Sequence, residues 1–459
     1  MYRYKPVNDG DEARYVRQVC DRVEQGLNEG LMPVEPFQDD SIFRAEMERI
    51  FTRTWVFLAH ETEIPKSGDF VQRRIGLDPV IVSRGTDGQV NVLLNHCRHR
   101  GTPVCLEDSG NTTRFRCPYH GWVYKNNGEF VGAPDMSQAY EKRPDPQKWG
   151  LLRAPRVESV HGFIFGCLAE NVPTLRDYLG SALWMFDAIF GLHPDGLRVL
   201  APPQRFIMRA DWKSGAENFS GDSYHVGTAH YSATTANRPG SDPRANGDKA
   251  RGFLFENGHS FIGHTLSDWF GPDYEYWGYP PELRAKFELS KLDETQLDII
   301  KNVPPTIGTI FPNFSFLRFP GPTEPGQPAT PFTDIRLWQP LEPGVMEMWH
   351  WQLDFAFMPE EEQRKSYIAG QYGFGVGGMV ESDDSILWEG PAKTARSPWA
   401  RKAEIRFHYQ QKRIDPNPDW KGPGQYYDTT YGEYMQSAFW RRWLDDMRSD
   451  GCSEGADHD

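Results

Sequence analysis

The spacing of apolar residues divides the chain into stretches of different periodicity. Near the start, apolar positions recur at helical spacing over 14–31 and 41–52, which predicts two amphipathic helices. From residue 55 to about 172 the pattern changes to short β-like runs, such as 90–94 and 163–168, separated by Gly, Pro and Asp-Gly turns. This change predicts a small β-rich domain that follows an N-terminal helical segment.

The remainder of the chain mixes both periodicities. The pattern predicts helices at 174–192, 214–228 and 360–369, a strand at 204–212, a polar loop at 236–250, and two or three strands over 306–357. The fold class is therefore α+β, with a β-rich domain and a larger domain in which helices flank an antiparallel sheet. The predicted divisions are 1–54 for the N-terminal helices, 55–172 for the β-rich domain, 173–448 for the larger domain, and 449–459 for a disordered acidic tail.

Composition narrows the class of protein and its compartment. The chain has 459 residues and fifteen tryptophans, which indicates two or three folded domains. A formal net charge of −14 argues against nucleic acid or an anionic membrane as the main partner. No apolar run approaches the ~20 residues of a membrane span, and the polar N-terminus lacks a secretory signal. Six scattered cysteines offer no disulfide framework, so we expect a cytoplasmic protein.

The strongest chemical signal is a pair of short motifs, Cys97-x-His99 and Cys117-x-x-His120. In a Rieske [2Fe–2S] centre, two thiolates hold one iron and two imidazoles hold the other. A zinc site is the alternative, because two cysteines and two histidines also suit tetrahedral zinc. Zinc fingers usually place the cysteines in one pair and the histidines in the other, whereas each pair here contains one of each. The pattern favours the Rieske cluster.

A second group of polar residues lies in the predicted helix over 214–228. Asn218, Asp222 and His225 are spaced to share one face, whereas His230 can join His225 only if the helix ends or distorts near Gly227. Two histidines and one carboxylate form the facial triad of non-haem Fe(II) oxygenases. The acidic run 381–384 is the best distant source of the carboxylate. Taken singly, each of these residues is more often an ordinary surface or core residue.

In order along the chain, these motifs and their flanks resemble the large (α) subunit of Rieske non-haem iron aromatic-ring-hydroxylating dioxygenases of the naphthalene and biphenyl type. The resemblance implies that His225, His230 and Asp384 hold the mononuclear iron, with Asp383 as the fallback. It implies that Asp222 links His225 to His120 of a neighbouring subunit and so carries electrons between subunits. It also implies that the N-terminal helices pack with the catalytic domain, which makes the Rieske domain an insertion.

The activity implied by the resemblance is hydroxylation of an aromatic ring with O₂, most simply cis-dihydroxylation of an aromatic, even polycyclic, hydrocarbon. A Rieske monooxygenase or an O- or N-dealkylase is the alternative within the enzymes. An electron-transfer protein with a Rieske cluster and no oxygenase site is the alternative from another class. The long chain after residue 173, with its triad pattern, argues against the last.

The resemblance also implies partners. A ferredoxin or a reductase supplies electrons, NADH acts only through a separate reductase, and the subunits form an α₃ ring or an α₃β₃ assembly with a small β subunit. The run 373–378 satisfies G-x-G-x-x-G, but it follows a helical, charged stretch instead of a strand, so we do not expect it to bind a dinucleotide. Basic residues near the cluster motifs predict docking of an acidic ferredoxin, unless they are only scattered solvated charges: Arg98, Arg100, Arg114, Arg116 and Lys125.

Positions near the substrate in this family fall on six residues: Asn218, Phe219, Ser223, Val226, Phe374 and Val380. They are mostly apolar and include no Arg or Lys that could pair with a carboxylate, so a flat hydrocarbon ring fits better than an aromatic acid. The chain has Val380 where the naphthalene enzymes usually carry Trp, and Ile307 where they carry His. We expect a roomier or reshaped pocket. The sequence leaves open the substrate, the regiochemistry, the electron donor and the β subunit.

Overall fold

The computed structural model describes residues 2–8, 10–142, 144–237, 250–409 and 412–449. The chain begins with α1 (Asp11–Glu29), β1 (Leu31–Pro33) and α2 (Asp40–Glu46), which continues as a π-helical turn, Met47–Phe51. Gly30, at φ 75°, ends α1 in the left-handed conformation that glycine adopts without steric cost. The Asp39 carboxylate caps α2 by accepting the amide N–H groups of Ser41 and Ile42. The two predicted N-terminal helices are therefore present, with boundaries shifted by a few residues.

A β-rich region follows, in which every strand pair is antiparallel. Its elements are β2 (Val56–His60), β3 (Asp69–Ile75), β4 (Asp78–Arg84), β5 (Val90–Leu94), β6 (Ser109–Asn111), β7 (Arg114–Arg116), β8 (Val123–Lys125), β9 (Phe130–Gly132), α3 (Met136–Ala139), β10 (Arg156–Val160) and β11 (Phe163–Cys167). They form three sheets with the orders β5-β4-β3-β6, β7-β8-β9 and β10-β11-β2. The two cluster motifs lie at one end, between β5 and β6 and between β7 and β8.

The larger region begins with helices and short strands and continues into long strands. Its first part contains α4 (Leu175–Leu179), α5 (Ala182–Phe190), β12 (Leu197–Val199), β13 (Gln204–Met208), α6 (Trp212–Gly221), α7 (Val226–Ala229), α8 (Tyr231–Asn237), β14 (Ala250–Leu254), β15 (Ser260–His264), α9 (Leu266–Phe270), α10 (Pro281–Arg284) and α11 (Glu294–Asn302). Its second part contains β16 (Pro305–Ile310), β17 (Phe314–Pro322), β18 (Ala329–Glu342), β19 (Val345–Phe355), α12 (Glu360–Phe374), α13 (Glu381–Arg396), α14 (Pro398–Lys402), β20 (Arg406–His408), β21 (Gln425–Tyr427) and α15 (Tyr434–Arg448).

A nine-stranded antiparallel sheet organises this larger region, in the order β12-β19-β18-β17-β16-β15-β14-β21, with β13 also paired to β19. The central strands β18 and β19 are buried over almost their whole length, because both faces of the sheet are covered. One apolar cluster joins the sheet to α1, α2, α6 and α15, and a second joins its other face to β2, β11, α4 and α5. The α+β class, with an antiparallel sheet flanked by helices, is confirmed.

Two contacts place α6, which carries the polar residues of the predicted iron site. A Cβ on Gly215 would lie 2.4 Å from Trp338, so this glycine allows α6 to lie close against β18. At the start of α6, the buried Lys213 ammonium lies 2.7 Å from Glu46 of α2 and 2.6 Å from Asp211. A buried cation is tolerated here because two carboxylates neutralise it. The N-terminal helices thus pack against the elements that hold the site.

Several predicted elements differ from the observed ones. The helix predicted at 214–228 ends at Gly221, where a Cβ would meet Met435 of α15 at 2.7 Å, and the chain resumes as two shorter helices. The helix predicted at 174–192 is broken at Gly180, and four strands lie within 305–355 where two or three were expected. The predicted loop 236–250 begins inside α8; residues 238–249 and the predicted tail beyond 449 lie outside the described residues.

Within the described ranges, no helix combines the length and the apolar character needed to cross a bilayer.

Candidate redox and catalytic centres

The two cluster motifs are built on the same turn. In the first, the Cys97 amide donates to the Thr102 carbonyl at 2.9 Å, and the Gly101 amide donates to the Cys97 carbonyl at 2.8 Å. In the second, Cys117 donates to the Trp122 carbonyl at 2.7 Å and Gly121 donates to the Cys117 carbonyl at 3.0 Å. Each turn needs a residue at positive φ four positions after its cysteine, and a glycine occupies both places, at 73° and 69°.

The four candidate cluster ligands lie together at the tips of these turns. Cys97 and Cys117 are buried, whereas His120 is exposed, and the His99 and His120 rings lie 4.5 Å apart between centroids. The Nδ1 atom of His99 is buried without a hydrogen-bond partner in the part of the chain that the structure describes. A buried imidazole nitrogen without a partner is costly unless it binds something, and an iron atom would satisfy it.

The spread of these four residues argues against a single zinc ion. A tetrahedral zinc would bring all four ligand atoms close together. Among the described residues, a group of three ligand atoms all within 4.8 Å of one another occurs at His225, His230 and Asp384 and not at the cluster motifs. Two sulfurs and two nitrogens spread over more than one ion's reach suit a binuclear cluster. The Tyr124 hydroxyl, 3.3 Å from Cys97 Sγ, adds the kind of hydrogen bond to sulfur that tunes a cluster's potential.

The second centre is a nearly equilateral triangle of ligand atoms. His225 Nε2 lies 3.2 Å from His230 Nε2 and 3.4 Å from Asp384 Oδ1, and His230 Nε2 lies 3.3 Å from the same oxygen. Ligands bound to one ion at about 2.1 Å and at right angles to each other are about 3 Å apart. The three atoms therefore occupy one face of a coordination sphere, as in a 2-His-1-carboxylate site whose remaining positions are open.

The helix break places the two histidines side by side. Helix α7 is a single turn, with His225 directly before it and His230 directly after it, and Asp384 comes from the first turn of α13. The expectation that Asn218, Asp222 and His225 share one helical face is wrong, since α6 ends before Asp222. They meet nonetheless, because the chain folds back at Asp222.

Each imidazole has a carboxylate on the nitrogen that faces away from the triangle. Asp222 Oδ1 lies 3.2 Å from His225 Nδ1 and also accepts the His225 backbone N–H at 3.1 Å. Asp383 Oδ2 lies 3.4 Å from His230 Nδ1. Asn218 donates to the other oxygen of Asp222 at 3.3 Å. Such contacts fix the tautomer and the orientation of metal-binding histidines.

The electrostatics of the triangle favour a cation. Burial disfavours the charged form of His225, but the carboxylates of Asp222 and Asp384 outweigh burial and raise the pKa of His225 to about 10. Burial would favour a neutral Asp384, yet the two imidazoles hold the pKa of that carboxyl below its usual range. Three carboxylates around two imidazoles leave an excess of negative charge, which a divalent ion would neutralise.

The six predicted substrate positions have different surroundings. Phe219 is buried against Trp338 and Trp388, and the Phe374 ring lies 5.9 Å from the Phe332 ring, tilted at 42°. Ser223 is buried, and its hydroxyl has no hydrogen-bond partner in the described ranges. Val226 begins α7, and Val380 lies just before α13.

Sequence reasoning missed a buried arginine next to this pocket. The guanidinium of Arg336 lies 5.6 Å from the ring centres of both Phe219 and Phe374 and donates to the Phe374 carbonyl at 3.3 Å. It also forms an ion pair with Glu381, so its charge is neutralised inside the protein and is not available to a substrate carboxylate. The only sequence signal was a single basic residue in β18, two positions after Asp334.

A cavity of about 250 Å³ reaches two corners of the triangle, His225 and Asp384. Its walls include His225 and Asp384, four aromatic residues and three acids: Phe37, Trp388, Phe407, Tyr409, Glu217, Asp222 and Glu433. Of the six predicted pocket positions, Asn218 alone lines this cavity. The sequence did not indicate it, because its walls come from five separate segments.

Comparison with known proteins agrees with this geometry. Residues 54–155 match the Rieske [2Fe-2S] domain, and residues 193–420 match the ring hydroxylating alpha subunit (catalytic domain). The chain therefore belongs to the Rieske ring-hydroxylating oxygenase α subunits, as the motifs indicated. Membership carries the Rieske cluster, the mononuclear iron and O₂ as co-substrate.

Individual relatives differ in the reaction named for them. The chain is 53% identical, over 99% of both chains, to the N,N-dimethyl phenylurea N-demethylase subunit alpha of Sphingobium sp. (strain YBL2). It is 34% identical, over 80% of both chains, to the naphthalene 1,2-dioxygenase large oxygenase component of Pseudomonas aeruginosa. The solved naphthalene 1,2-dioxygenase from Rhodococcus sp., bound to indole, superposes with a TM-score of 0.88 at 32% identity and covers 96% of this chain and 99% of its own.

Proposed function

We propose that this chain is the terminal oxygenase subunit of a Rieske N-demethylase, acting on a neutral aromatic compound with an N,N-dimethyl urea or a related N-methyl group. The supporting observation is the 53% identity to a phenylurea N-demethylase α subunit over nearly the whole of both chains. The naphthalene relative is less similar over a shorter span. The dealkylase alternative is therefore preferred to the cis-dihydroxylation expected from the motifs.

We assign the metal ligands by their geometry. Cys97, His99, Cys117 and His120 hold the [2Fe–2S] cluster, and His225, His230 and Asp384 hold the mononuclear iron. Asp222 and Asp383 orient the two iron histidines. The corresponding domains are 55–172 for the Rieske part and 173–448 for the catalytic part, with 1–54 packed on the latter.

The predicted pocket residues suit a neutral aromatic substrate. Phe219 and Phe374 offer aromatic walls, and Val380 leaves more space than a large aromatic side chain would. Because Arg336 is neutralised by Glu381, the predicted pocket positions and this neighbouring arginine, all among the described residues, offer no free cation to an acidic substrate. The iron, when bound, supplies the activation of O₂, while these side chains hold an N-methyl group near the triangle and keep water away.

The reaction balances as a monooxygenation. One substrate, one O₂, two electrons and two protons give a hydroxymethyl amine and one water. The hydroxymethyl amine then loses formaldehyde when its C–N bond breaks. One formaldehyde is therefore expected for each O₂ consumed in a fully coupled reaction.

Electrons must come from outside the chain. We infer a ferredoxin or a reductase as the donor, with NADH used only by that reductase, and an α₃ ring or an α₃β₃ assembly. The Asp222 side chain is 31% exposed and His120 is exposed in the single chain, so each can meet a neighbouring subunit. That arrangement would connect one subunit's cluster to the next subunit's iron.

The test compares matched substrates under identical reducing conditions. Purified protein with a ferredoxin and reductase pair is given N,N-dimethyl-N′-phenylurea, its fully demethylated analogue, and naphthalene. We expect formaldehyde in step with O₂ uptake from the dimethyl compound and none from the analogue. Dihydrodiol from naphthalene at a higher rate than demethylation would reject the proposal in favour of ring dihydroxylation.

A further inference from the structure

Glu217 has no place in the assignments above, although it shares a cavity with the candidate iron ligands. It lies on α6 beside Asn218, and its carboxylate accepts a hydrogen bond from the Tyr409 hydroxyl, just beyond β20. Its side chain lines the cavity that reaches His225 and Asp384. No salt bridge of the described residues includes Glu217.

The surroundings of Glu217 favour a neutral carboxylic acid. Burial raises the pKa of Glu217, and the negative charges of Glu433 and Asp222 raise it further. The hydrogen bond from Tyr409 lowers the pKa but does not cancel these effects, so the pKa of Glu217 is about 8. Glu433 lies just before α15, Asp222 just after α6, and Tyr409 just after β20, and all three line the cavity. At neutral pH Glu217 therefore carries a proton that it can give away.

The chemistry at the iron needs protons as well as electrons. Reduction of O₂ with transfer of one oxygen atom to substrate uses two protons, and the predicted substrate pocket is walled mainly by apolar side chains. The cavity has a mixed lining, in which the polar side chains Glu217, Asn218 and Asp222 lead to the iron ligands His225 and Asp384, while Phe219 and Phe374 do not line it. A proton can travel along these polar groups from Glu217 to the iron ligands.

We propose that Glu217 is the proton donor that supplies the mononuclear iron site through this cavity. The O–H bond of the Glu217 carboxyl breaks as its proton moves into the cavity, and a proton from solvent re-forms it, so the residue is unchanged over a turnover. The electrons come from the reduced cluster and its external donor. The inference needs a working oxygenase site but no particular substrate.

The first test compares Glu217→Gln with Glu217→Asp. Glutamine keeps the size and the Tyr409 contact but has no acidic proton, so we expect turnover to fall on the order of 10²-fold, with more H₂O₂ released per O₂ consumed. Aspartate should recover part of the rate. Iron content and the cluster spectrum of both variants should match the wild type, which separates proton supply from folding.

The pH profile supplies a sharper test through the neighbours of Glu217. Because the donor must be protonated, activity should decline as pH rises through about 8, and this limb should be absent in Glu217→Gln. Glu433→Gln removes a negative charge and should move the limb to lower pH. Tyr409→Phe removes the hydrogen bond that stabilises the carboxylate and should move it to higher pH. Shifts in the same direction, or none, would overturn the proposal.

A spectroscopic measurement tests the same group without turnover. Difference infrared spectra of the purified protein should contain a neutral carboxylic acid band that disappears near pH 8 and is missing in Glu217→Gln. Absence of that band, or an unaltered pH profile and coupling ratio in Glu217→Gln, would reject the proton role and leave Glu217 as a structural partner of Tyr409. Either result is independent of whether the accepted substrate proves to be a phenylurea.

Discussion

The two metal centres of this chain are assembled in opposite ways. The candidate cluster ligands lie between positions 97 and 120, on two copies of one hydrogen-bonded turn. The candidate iron ligands come from positions 225, 230 and 384, on either side of α7 and in the first turn of α13, and they meet because α13 packs on α6 and α6 packs on the central sheet. A local centre depends on the conformation of a few residues, whereas a composite centre depends on the core of the whole domain.

The supports of the composite centre show this dependence. Lys213 and its two carboxylates fix the start of α6, Gly215 lets that helix approach Trp338, and the Arg336–Glu381 ion pair fixes the start of α13. The polar contacts of the cluster turns stay within the β-rich region, as in the Arg98 backbone N–H to the Tyr124 hydroxyl at 3.0 Å and the Arg98 side chain to the Gly150 carbonyl at 3.2 Å. A substitution in one centre should therefore remove the metal of that centre and leave the metal of the other centre in place.

The largest effect is expected from Asp384→Ala. It removes one corner of the ligand triangle, so the mononuclear iron and all oxygenase activity should be lost. Elemental analysis should then show two irons per chain in place of three, while the electron paramagnetic resonance signal of the reduced cluster persists.

Cys117→Ala is the matched control, because it removes a ligand of the cluster and leaves the ligands of the mononuclear iron unchanged. It should lose the cluster signal and its two irons but keep the capacity to bind one iron. If Asp383→Ala empties the mononuclear site and Asp384→Ala does not, the ligand assignment is off by one residue.

Asp222→Ala should break the connection between the centres without emptying either one. Asp222 contacts His225 Nδ1 and not the triangle, so most iron and the cluster should remain while turnover is abolished and electrons stop at the cluster. Stopped-flow reduction would show a normal first phase without reoxidation by substrate and O₂. Asp383→Asn, which alters only the 3.4 Å contact to His230, should cost about tenfold. Wild-type turnover in Asp222→Ala would show that the two centres communicate by another route.

A pair of glycines tests how strictly the local centre depends on its turns. A Cβ on Gly101 meets no atom within 4 Å, so Gly101→Ala should cost only the left-handed conformation, about 1 kcal/mol. A Cβ on Gly121 would lie 2.9 Å from Pro134, so Gly121→Ala should cost more and reduce cluster occupancy. Thermal unfolding and the visible cluster spectrum measure both. Gly88→Ala is the matched control, because it has similar φ and open space but lies away from the cluster.

The smallest effect concerns the exposed side of the cluster. Arg98 is held by the Gly150 carbonyl and Trp149, and Lys125 pairs with Glu129, so Arg100, Arg114 and Arg116 are the exposed cations left for an acidic ferredoxin. Replacing these three with Gln should slow cluster reduction severalfold at low salt and flatten its salt dependence. Replacing Lys125 alone should change little. A wild-type rate that is already flat from low to high salt would contradict this docking surface.

The local centre could be predicted from the sequence because its ligands and turn glycines are close neighbours in the chain. The helix and strand pattern also gave the α+β class, since periodicity reflects burial on one face. For the composite centre, the residue pattern offered His225, His230 and the acidic run 381–384 as candidates, and the family resemblance selected Asp384 among the acids. The helix ends at Gly221, where a Cβ would meet Met435 from the other end of the chain, and nothing near residue 221 indicates that contact.

Residues that act through tertiary contacts were missed for the same reason. Arg336 was one cation in a strand of mixed polarity, and its partners Glu381, Phe219 and Phe374 lie on other elements. Glu217 was one acid in a polar helix, and its cavity is formed by segments that are distant in sequence. Burial, and not residue type, gives these groups their chemistry.

The contact between α1 and α15 has a consequence for the order in which the protein matures. Arg448 of α15 binds Asp21 and Glu24 of α1 at 2.8 and 2.9 Å, and the Trp443 indole donates to Glu46 at 2.8 Å. During synthesis, the cluster turns leave the ribosome long before α15 exists. We therefore expect a nascent chain to be able to receive its iron–sulfur cluster while its mononuclear site is still unformed, so that insertion of the third iron is the last step of assembly.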